Sequence, residues 1–317
     1  MAGPDMDGSV IIITRNTCAL TCAAVRSVQA AAGSLTWKVI VVDNASGDDT
    51  AGVLARDFPS VKLIRSGANL GFARACNLAA KPAHGEFLLL LNSDARLAPD
   101  ALELASAWMR THRDCAVAGA QLLNADGSHQ NSIANFPTLA TELLNKPLLR
   151  RLFPRRFPGK EHHFAGPVEV ETVVGAFMLI RKEVWDKFGG LDERYFFFFE
   201  ETDFCLQVRR AGLRVMHLPD VRVWHDQGQT AKQISAAARI EYWRSRYAYF
   251  RKHRGRGMRW VLRAGLGARL LVDTLGSGLL TLLTFGCSGR WRGKFNVYWS
   301  LVIWHCRGCP EGPGLPR

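Results

Sequence analysis

Two hydrophobic periods alternate along the first hundred residues. Unbroken apolar runs occur at VIIIT (10–14), WKVIVVD (37–43), VKLIR (61–65) and EFLLLLNSD (86–94). Runs of this length, rich in Val, Ile and Leu, predict strands covered on both faces. Between them lie CALTCAAVRSVQAA (18–31), DTAGVLARDF (49–58) and GFARACNLAAK (71–81), whose Ala-rich patterns predict helices. The order β-α-β-α-β-α-β predicts an α/β fold, with a mostly parallel central sheet and helices on both faces. Such sheets bind ligands at the carboxyl ends of their strands. The polar ends of the predicted strands, Thr14-Arg15-Asn16, Asp43-Asn44-Ala45-Ser46 and Asn92-Ser93-Asp94, would meet along one rim.

The pattern then changes. Pro99 opens a predicted helix over 99–112. Residues 136–168 are rich in proline and base, including KPLLRRLFPRRFPGK, and predict a loop or flexible lid. ETVVGAFMLIRKEVWDKFGG (171–190) predicts a strand and a short helix stopped by Gly189-Gly190. EETDFCLQVRRAG (200–212) begins with acids, ends with bases and closes on Gly212, as a helix dipole prefers. Two short strands are expected within 213–225. Beyond them, 239–260 interleaves aromatic and basic residues, and 270–287 is apolar apart from Asp273. A domain boundary is expected after residue 250, with a basic, partly apolar helical segment over 251–317.

Charge sharpens that division. The chain of 317 residues carries a net +13, and residues 226–317 hold sixteen Lys+Arg against four Asp+Glu. A basic, aromatic tail suits an anionic surface. Three placements fit it: a helix pair in the membrane interface, an appendage packed on the catalytic domain, and a membrane span. The apolar run is short for a span, which needs about 20 residues. An interfacial pair beside anionic lipid accounts best for the basic residues. The eight cysteines are scattered through predicted elements, which indicates reduced, cytoplasmic usage. Cys306 and Cys309 form one CxxC, but zinc needs four ligands and His305 is the sole neighbouring candidate. The first ten residues lack the features of a signal peptide.

Each candidate site has a plain structural reading beside its chemical one. Asp94 could hold Mg²⁺ or Mn²⁺ with a diphosphate, or serve as a turn residue. Asp43 and Asn44 could bind a base or ribose, or make a turn. Gly71 could open a helix onto an anion with Arg74 one turn in, or mark an ordinary helix start behind Asn69. In YFFFFEETDF (195–204), Glu200 and Asp203 share a helical face, and Glu201 points about 100° away. Acids against phenylalanines lose solvation, which raises their pKa and suits a general base. The same acids would also stabilise a helix start. His225 gains chemical weight if it lies near Asp94.

Taken in order, Thr14-Arg15-Asn16, VVDNAS, NLGFARACN, LLLLNSDA, VVGAFMLIRKEVWDKFGGLDERYFFFFEETDFCLQVRRAG and VWHDQGQT resemble the family 2 glycosyltransferases of the GT-A fold, in their bacterial rhamnosyltransferase-like branch. The resemblance covers roughly 9–250. It implies that Thr14, Asn16, Asp43 and Asn44 hold the nucleotide base and ribose. Asn69 and Arg74 would approach ribose and diphosphate, with Asn92 at the rim. Asp94 and His225 would form the site of a divalent metal, Mg²⁺ or Mn²⁺. Glu201 would be the catalytic base, flanked by Glu200 and Asp203, which contact the acceptor or fix the helix. Two departures stand out. The DxD motif reads Asn92-Ser93-Asp94, which leaves the metal fewer charges. The usual Glu-Asp pair reads Glu200-Glu201, one methylene longer at the base.

The expectation is an inverting enzyme of cell-envelope polysaccharide synthesis, cytoplasmic and peripheral at the inner face of the membrane. It would use dTDP-rhamnose, or failing that a UDP-sugar, and a saccharide or lipid-linked acceptor. Two rivals are an inactive sugar-nucleotide-binding scaffold, prompted by the lost acid, and a nucleic-acid-binding protein, prompted by the tail. The second leaves the acidic rim unexplained, so no nucleic acid partner is expected.

Overall fold

The computed structural model describes residues 6–154, 156, 157, 163–226 and 236–317. The chain opens with β1 (Gly8–Thr14), α1 (Cys18–Ala31), β2 (Trp37–Asp43), α2 (Thr50–Asp57), β3 (Lys62–Arg65), α3 (Gly71–Ala80) and β4 (Phe87–Asn92). It continues through β5 (Ala95–Leu97), α4 (Ala101–Thr111), β6 (Cys115–Leu123), β7 (Ile133–Ala134), α5 (Leu139–Leu143) and α6 (Lys146–Leu152). Next come β8 (Val168–Glu169), β9 (Thr172–Val173), β10 (Phe177–Arg181), α7 (Lys182–Phe188), α8 (Glu200–Arg210) and β11 (Arg214–His225). Three helices end the chain: α9 (Ala236–His253), α10 (Arg256–Leu283) and α11 (Gly289–Cys306).

The main sheet runs β3-β2-β1-β4-β10-β6-β11-β5, with β8 on β11. β3, β2, β1 and β4 are parallel, as are β6 and β11, while β10 lies antiparallel between β4 and β6. The predicted βα alternation is therefore the parallel half of the sheet. Its strands read as unbroken apolar runs because both faces are covered. In β4, Phe87, Leu89 and Leu91 enter one core while Leu88 and Leu90 enter the other.

Several expectations change. The region 136–168 is more than a loop or lid: it carries α5, α6 and β8, although residues 155 and 158–162 lie outside the described residues. Thr138 caps α5 through a reciprocal pair with Thr141, and Asn145 caps α6. Leu143 of α5 then packs on α10, close enough that a Cβ at Gly265 would lie 2.7 Å from it. The two short strands expected over 213–225 are one strand, β11. Its register on β6 shifts between Leu218 and Arg222, around Pro219, which has no N–H to give the ladder. β6 itself, buried at all nine positions, had no counterpart among the expected elements.

The C-terminal helices are bound to the rest through a third core. Tyr195, Phe199 and Leu206 pack with Ile240, Trp243, Tyr249 and Phe250 of α9, Leu262, Leu266 and Leu270 of α10, and Leu301 and Trp304 of α11. The buried positions of α10 recur every four residues up to Thr274, leaving a second face of the helix in solvent. That helix is long and apolar enough to cross a membrane by length and composition. The boundary expected after residue 250 falls inside α9, whose last turn grips α8. There the fully buried Asp203 accepts from His253 Nε2 (2.5 Å), Lys252 Nζ (2.7 Å), Tyr195 Oη (3.1 Å) and Gln207 Nε2 (2.8 Å). Lys252 also reaches Asp192 at 2.7 Å.

Burial alone would raise the Asp203 carboxyl, but the hydrogen bonds from His253 and Lys252 hold it below its ordinary range. Its stabilising contribution is complete above the unfolded value of about 3.9 and disappears as pH falls through the lower folded value. Asp203→Ala leaves Lys252 and His253 short of a counter-charge and should cost about 3–5 kcal/mol in urea unfolding at neutral pH. The variant should also lose less stability than the wild type as the pH falls below about 4. Parallel acid limbs in the two proteins would contradict this account.

Candidate active site

The carboxyl ends of β1, β2 and β4 form the rim. β1 ends in Thr14, whose buried hydroxyl lies 2.7 Å from that of Thr21 and 2.9 Å from that of Thr17. Thr17 in turn donates to Ser93 Oγ at 3.2 Å, joining the ends of β1 and β4. The Thr14 hydroxyl is thus spent inside the protein, and its effect on a ligand is through position. Asn16 takes a left-handed backbone (φ 55°). Its N–H donates to Ser46 Oγ (3.0 Å) and its Oδ1 accepts from Gly47 N (2.6 Å), clamping the loop after β1 to the loop after β2.

Asp43 is nearly buried. One carboxylate oxygen accepts from Ser46 N at 3.1 Å, and the other has no hydrogen-bond partner among the described residues. Asn44 is fully engaged: Nδ2 donates to Asn69 Oδ1 (2.9 Å) and Gly71 O (3.2 Å), and Oδ1 accepts from Leu70 N (2.8 Å). It fixes the start of α3. Asn69 turns its own Nδ2 to the carbonyl of Pro316. Arg74 pairs with Glu193 at 3.3 Å, well exposed.

At the end of β4, two ladders converge. β11 runs antiparallel to β5, which sets His225 opposite Ala95. Asp226 N donates to Asp94 O at 2.9 Å. As a result His225 Nε2 lies 3.3 Å from Asp94 Oδ1 and 3.5 Å from Asn92 Nδ2. His225 Nδ1 lies 3.2 Å from Gln130 Oε1, and Gln130 Nε2 donates to the His225 carbonyl at 2.6 Å. An amide oxygen can only accept, so Nδ1 carries a proton in that pair and Nε2 is the ring nitrogen that faces Asp94.

This set fits a divalent cation. One carboxylate and one imidazole nitrogen, the latter oriented from behind by Gln130, are the kind of partial shell that leaves positions for phosphate oxygens and water. No cluster of three or more His, Cys, Asp or Glu suited to a metal occurs among the described residues, so a cation here would depend on ligand oxygens.

Glu201 lies against the segment that pairs with the end of β4. A Cβ at Gly175 would lie 3.8 Å from the Glu201 side chain, and the neighbouring Ala176 carbonyl accepts from Asn92 N at 3.1 Å. Burial raises the Glu201 carboxyl, against the opposing pull of the backbone N–H groups of Glu201 and Thr202. Glu200 is more deeply buried, with one carboxyl oxygen unpartnered among the described residues. Burial first, and the charge of Glu201 second, push it well above the usual carboxylate range. The two acids divide as buried pairs do, with the accessible one free to ionise. Asp203, one turn on, is committed to α9.

The phenylalanines set the geometry. Phe198 and Phe199 both have positive φ (73° and 74°), a strained arrangement for bulky residues. It is held by Tyr242, whose ring centroid lies 5.4 Å from Phe198 and 5.3 Å from Phe199. Ser245 adds a hydrogen bond to the Phe197 carbonyl at 2.8 Å. Phe196 O accepts from Phe72 N at 2.8 Å, which ties this loop to the start of α3.

The structure thus brings Asn92, Asp94 and His225 together, with Glu201 against Gly175, the neighbour of the residue that pairs with Asn92. Thr14, Asn16, Asp43, Asn44 and Asn69 gather along the adjoining rim, and Arg74 sits further out. Gln130, Thr17 and Gly175 were not singled out from sequence, whereas Ser46 and Ser93 were expected at the rim without a role. Nothing in the pattern around Gln130 marks it, since its partner lies 95 residues away. The end of the VWHDQGQT motif, from Gln227, lies outside the described residues.

An open α/β sheet with this polar rim and a desolvated glutamate beside it is the architecture of a glycosyltransferase. A family model described as Glycosyl transferase family 2 matches residues 9–189, more than half the chain. The chain belongs to that family and has the GT-A fold. It is similar to N-acetylglucosaminyl-diphospho-decaprenol L-rhamnosyltransferase of Mycobacterium tuberculosis, at 26% identity over 73% of this chain and 81% of that protein. It is also similar to rhamnosyltransferase WbbL of Escherichia coli K12, at 25% identity over 60% of this chain and 73% of the relative. Among solved structures, the mannosyltransferase PcManGT from Pyrobaculum calidifontis, in complex with GDP-Man and Mn²⁺, superposes with a TM-score of 0.57. That match has 16% identity and covers 98% of this chain and 90% of the other, and it bears on fold alone.

Gly71 joins the two halves of the site. Its φ is +77°, and a Cβ there would lie 2.4 Å from the Phe196 carbonyl oxygen. Gly71→Ala should lower stability by about 1–3 kcal/mol in denaturant titration. It should also raise the donor KM, because Asn44 and Asn69 lose their fixed partner. A variant with wild-type stability and donor KM would show that this contact does not set the rim.

Proposed function

We propose that this glycosyltransferase inverts the configuration of a sugar, rhamnose by first preference, that it takes from a nucleoside diphosphate. It passes the sugar to a hydroxyl of a lipid-linked saccharide in cell-envelope polysaccharide synthesis. The observation that carries the reading is the placement of Glu201 beside Gly175, at the strand end where Asp94 and His225 meet. The names of the relatives from M. tuberculosis and E. coli support rhamnose, and the first of them supports a diphospholipid acceptor. dTDP-rhamnose is the donor to test first, and a UDP-sugar second.

Glu201 takes the proton of the acceptor hydroxyl. The oxygen lone pair forms the new bond to the anomeric carbon on the face opposite the diphosphate. The old carbon–oxygen bond breaks with its electron pair, which leaves on the nucleoside diphosphate. Burial of Glu200 opposes a second charge beside the base. Asp43, with Asn16 and Thr14 behind it, receives base and ribose. Asn44 and Asn69 shape the start of α3, and Arg74 lies toward the diphosphate. Asp94 and His225, with Asn92 beside them, would hold the divalent cation, Mg²⁺ or Mn²⁺. When bound, that ion neutralises charge on the departing diphosphate.

The exposed face of α10 supports attachment at an anionic membrane surface, with residues 1–250 as the catalytic unit and 251–317 as the attachment. Leu275, Leu279 and Leu282 are 73%, 58% and 74% exposed, too much apolar surface for a solvent-facing helix.

Glu201→Gln should lower kcat by about 10²–10⁴-fold while nucleotide binding persists. Because the Glu201 carboxyl is raised, the wild-type kcat/KM should already fall in mild acid, above the ordinary carboxylate range, and the variant should lack that limb. Undiminished transfer by the variant would remove Glu201 as the base. Gln130→Ala should raise the Mn²⁺ concentration for half-maximal transfer by about 10–100-fold, as titration after chelator treatment would reveal. An unchanged metal requirement would count against the Asp94–His225 site.

A further inference from the structure

A cavity of about 870 Å³ lies between the start of α3, the loop around Phe196 and the three C-terminal helices. It is separate from the Asp94–His225 centre, although Asn69 and Arg74 form its near wall. Seven arginines line it, against two glutamates. Four of the seven are accounted for. Arg74 and Arg317 pair with those glutamates, Arg194 with Asp192, and Arg244 with Glu241. The other three, Arg251, Arg259 and Arg263, have no carboxylate partner among the described residues. Arg263 lies over the Tyr247 ring at 5.3 Å and donates to Cys309 Sγ. Three uncompensated guanidinium groups on the wall of one cavity repel each other and are relieved by a polyanion. Their planar forks suit phosphate oxygens.

The far wall says what such an anion is attached to. Arg259, Trp260 and Arg263 are on the first turns of α10. Trp260 is 73% exposed, and Leu271, Leu275 and Leu282 follow it with comparable exposure. At about 100° per residue these four fall within about 60° of one another around the helix. An apolar track therefore leaves the cavity along α10, while its opposite end opens toward Asn69 at the donor rim. One ligand satisfies both features: an anionic diphosphate joined to a long apolar chain.

We propose that this cavity binds the diphosphate of a polyprenyl-diphosphate acceptor, with the isoprenoid chain along the exposed face of α10. This deepens the acceptor reading given above and rests on it. The nucleotide donor has its own rim at the ends of β1 and β2. The acceptor saccharide, attached to the same diphosphate, would extend from the cavity toward Glu201.

The test is flotation of the full-length protein with phosphatidylcholine vesicles carrying a long-chain polyprenyl diphosphate. Vesicles of equal charge made with phosphatidylglycerol serve as the comparison. Wild type should bind the diphosphate vesicles more tightly, and inorganic pyrophosphate should compete. R259Q/R263Q should weaken that binding by about tenfold or more and change phosphatidylglycerol binding much less. Arg251→Gln, on α9, should weaken it in the same sense. Arg269→Gln, further along α10 and facing a different cavity, should not. Wild-type affinity in both cavity variants would overturn the proposal. So would equal losses on the two vesicle types, which mark a general basic surface, or displacement of the vesicles by dTDP or UDP, which assigns the cavity to the donor. Because binding requires no transfer, the two ideas separate. Selective binding without transfer to any diphospholipid saccharide supports the cavity and sinks the acceptor reading. Transfer with unaltered binding in both variants does the reverse.

Discussion

Asp203 is the constraint on which the rest of the site depends. It is a carboxylate with no exposed surface, and such a group is costly unless every lone pair is used. Here both oxygens accept, from Tyr195, Gln207, Lys252 and His253. The donors come from both sides of the phenylalanine run and from the end of α9. Satisfying this one charge therefore fixes where α8 starts and how α9 crosses it. It also makes the strained turn at Phe198 and Phe199 affordable, since Tyr242 and Tyr249 are brought against those rings by the same crossing. Glu200 and Glu201 follow directly from that turn. Their different depths follow from how Asp203 seats the start of α8.

A second dependence runs through the sheet. Asp94 and His225 are 131 positions apart in sequence, and neither marks a metal site alone. The short β5–β11 ladder brings them together, and Gln130 fixes the imidazole from behind. The missing acid at Asn92 leaves this centre with one carboxylate. The Asn92 side chain lies 3.5 Å from His225 Nε2 through Nδ2, and the backbone N–H of this position ties the segment before β10 to the end of β4.

The parallel half of the sheet was legible because strands covered on both faces spell themselves as apolar runs between Ala-rich helices. β6 was not. CAVAGAQLL is rich in Ala and Gly, which carry little strand preference, and it is buried because Gly119 lets Val173 approach its backbone. α5 and α6 were hidden by a proline- and arginine-rich composition that reads as loop. Their caps, Thr138 and Asn145, are single residues whose effect depends on α10 lying beneath. Among the site residues, sequence order identified which positions gather at the rim. It could not tell a side chain facing the cleft, such as Asp43, from one consumed in holding the loops, such as Asn44 or Thr14. That difference is decided by hydrogen bonds that the pattern does not spell out: Thr14 to Thr17 and Thr21 nearby, and Asn44 to residues 25 or more positions away.

The basic tail is also less uniform than its composition. Arg244, Arg246 and Lys252 point inward and pair with Glu241, Glu142 and Asp203, so part of the charge is structural. Arg251, Arg259 and Arg263 remain unpaired and converge on one cavity. Arg251 is the immediate neighbour of Lys252, which places an arginine of that cavity and the grip on Asp203 in the same turn of α9. A helix turn is rigid on the scale of an ångström, so the basic wall and the helix that carries Glu201 are held in fixed relation. Within the basic tail, then, Arg244, Arg246 and Lys252 hold helices in place, while Arg251, Arg259 and Arg263 line one cavity.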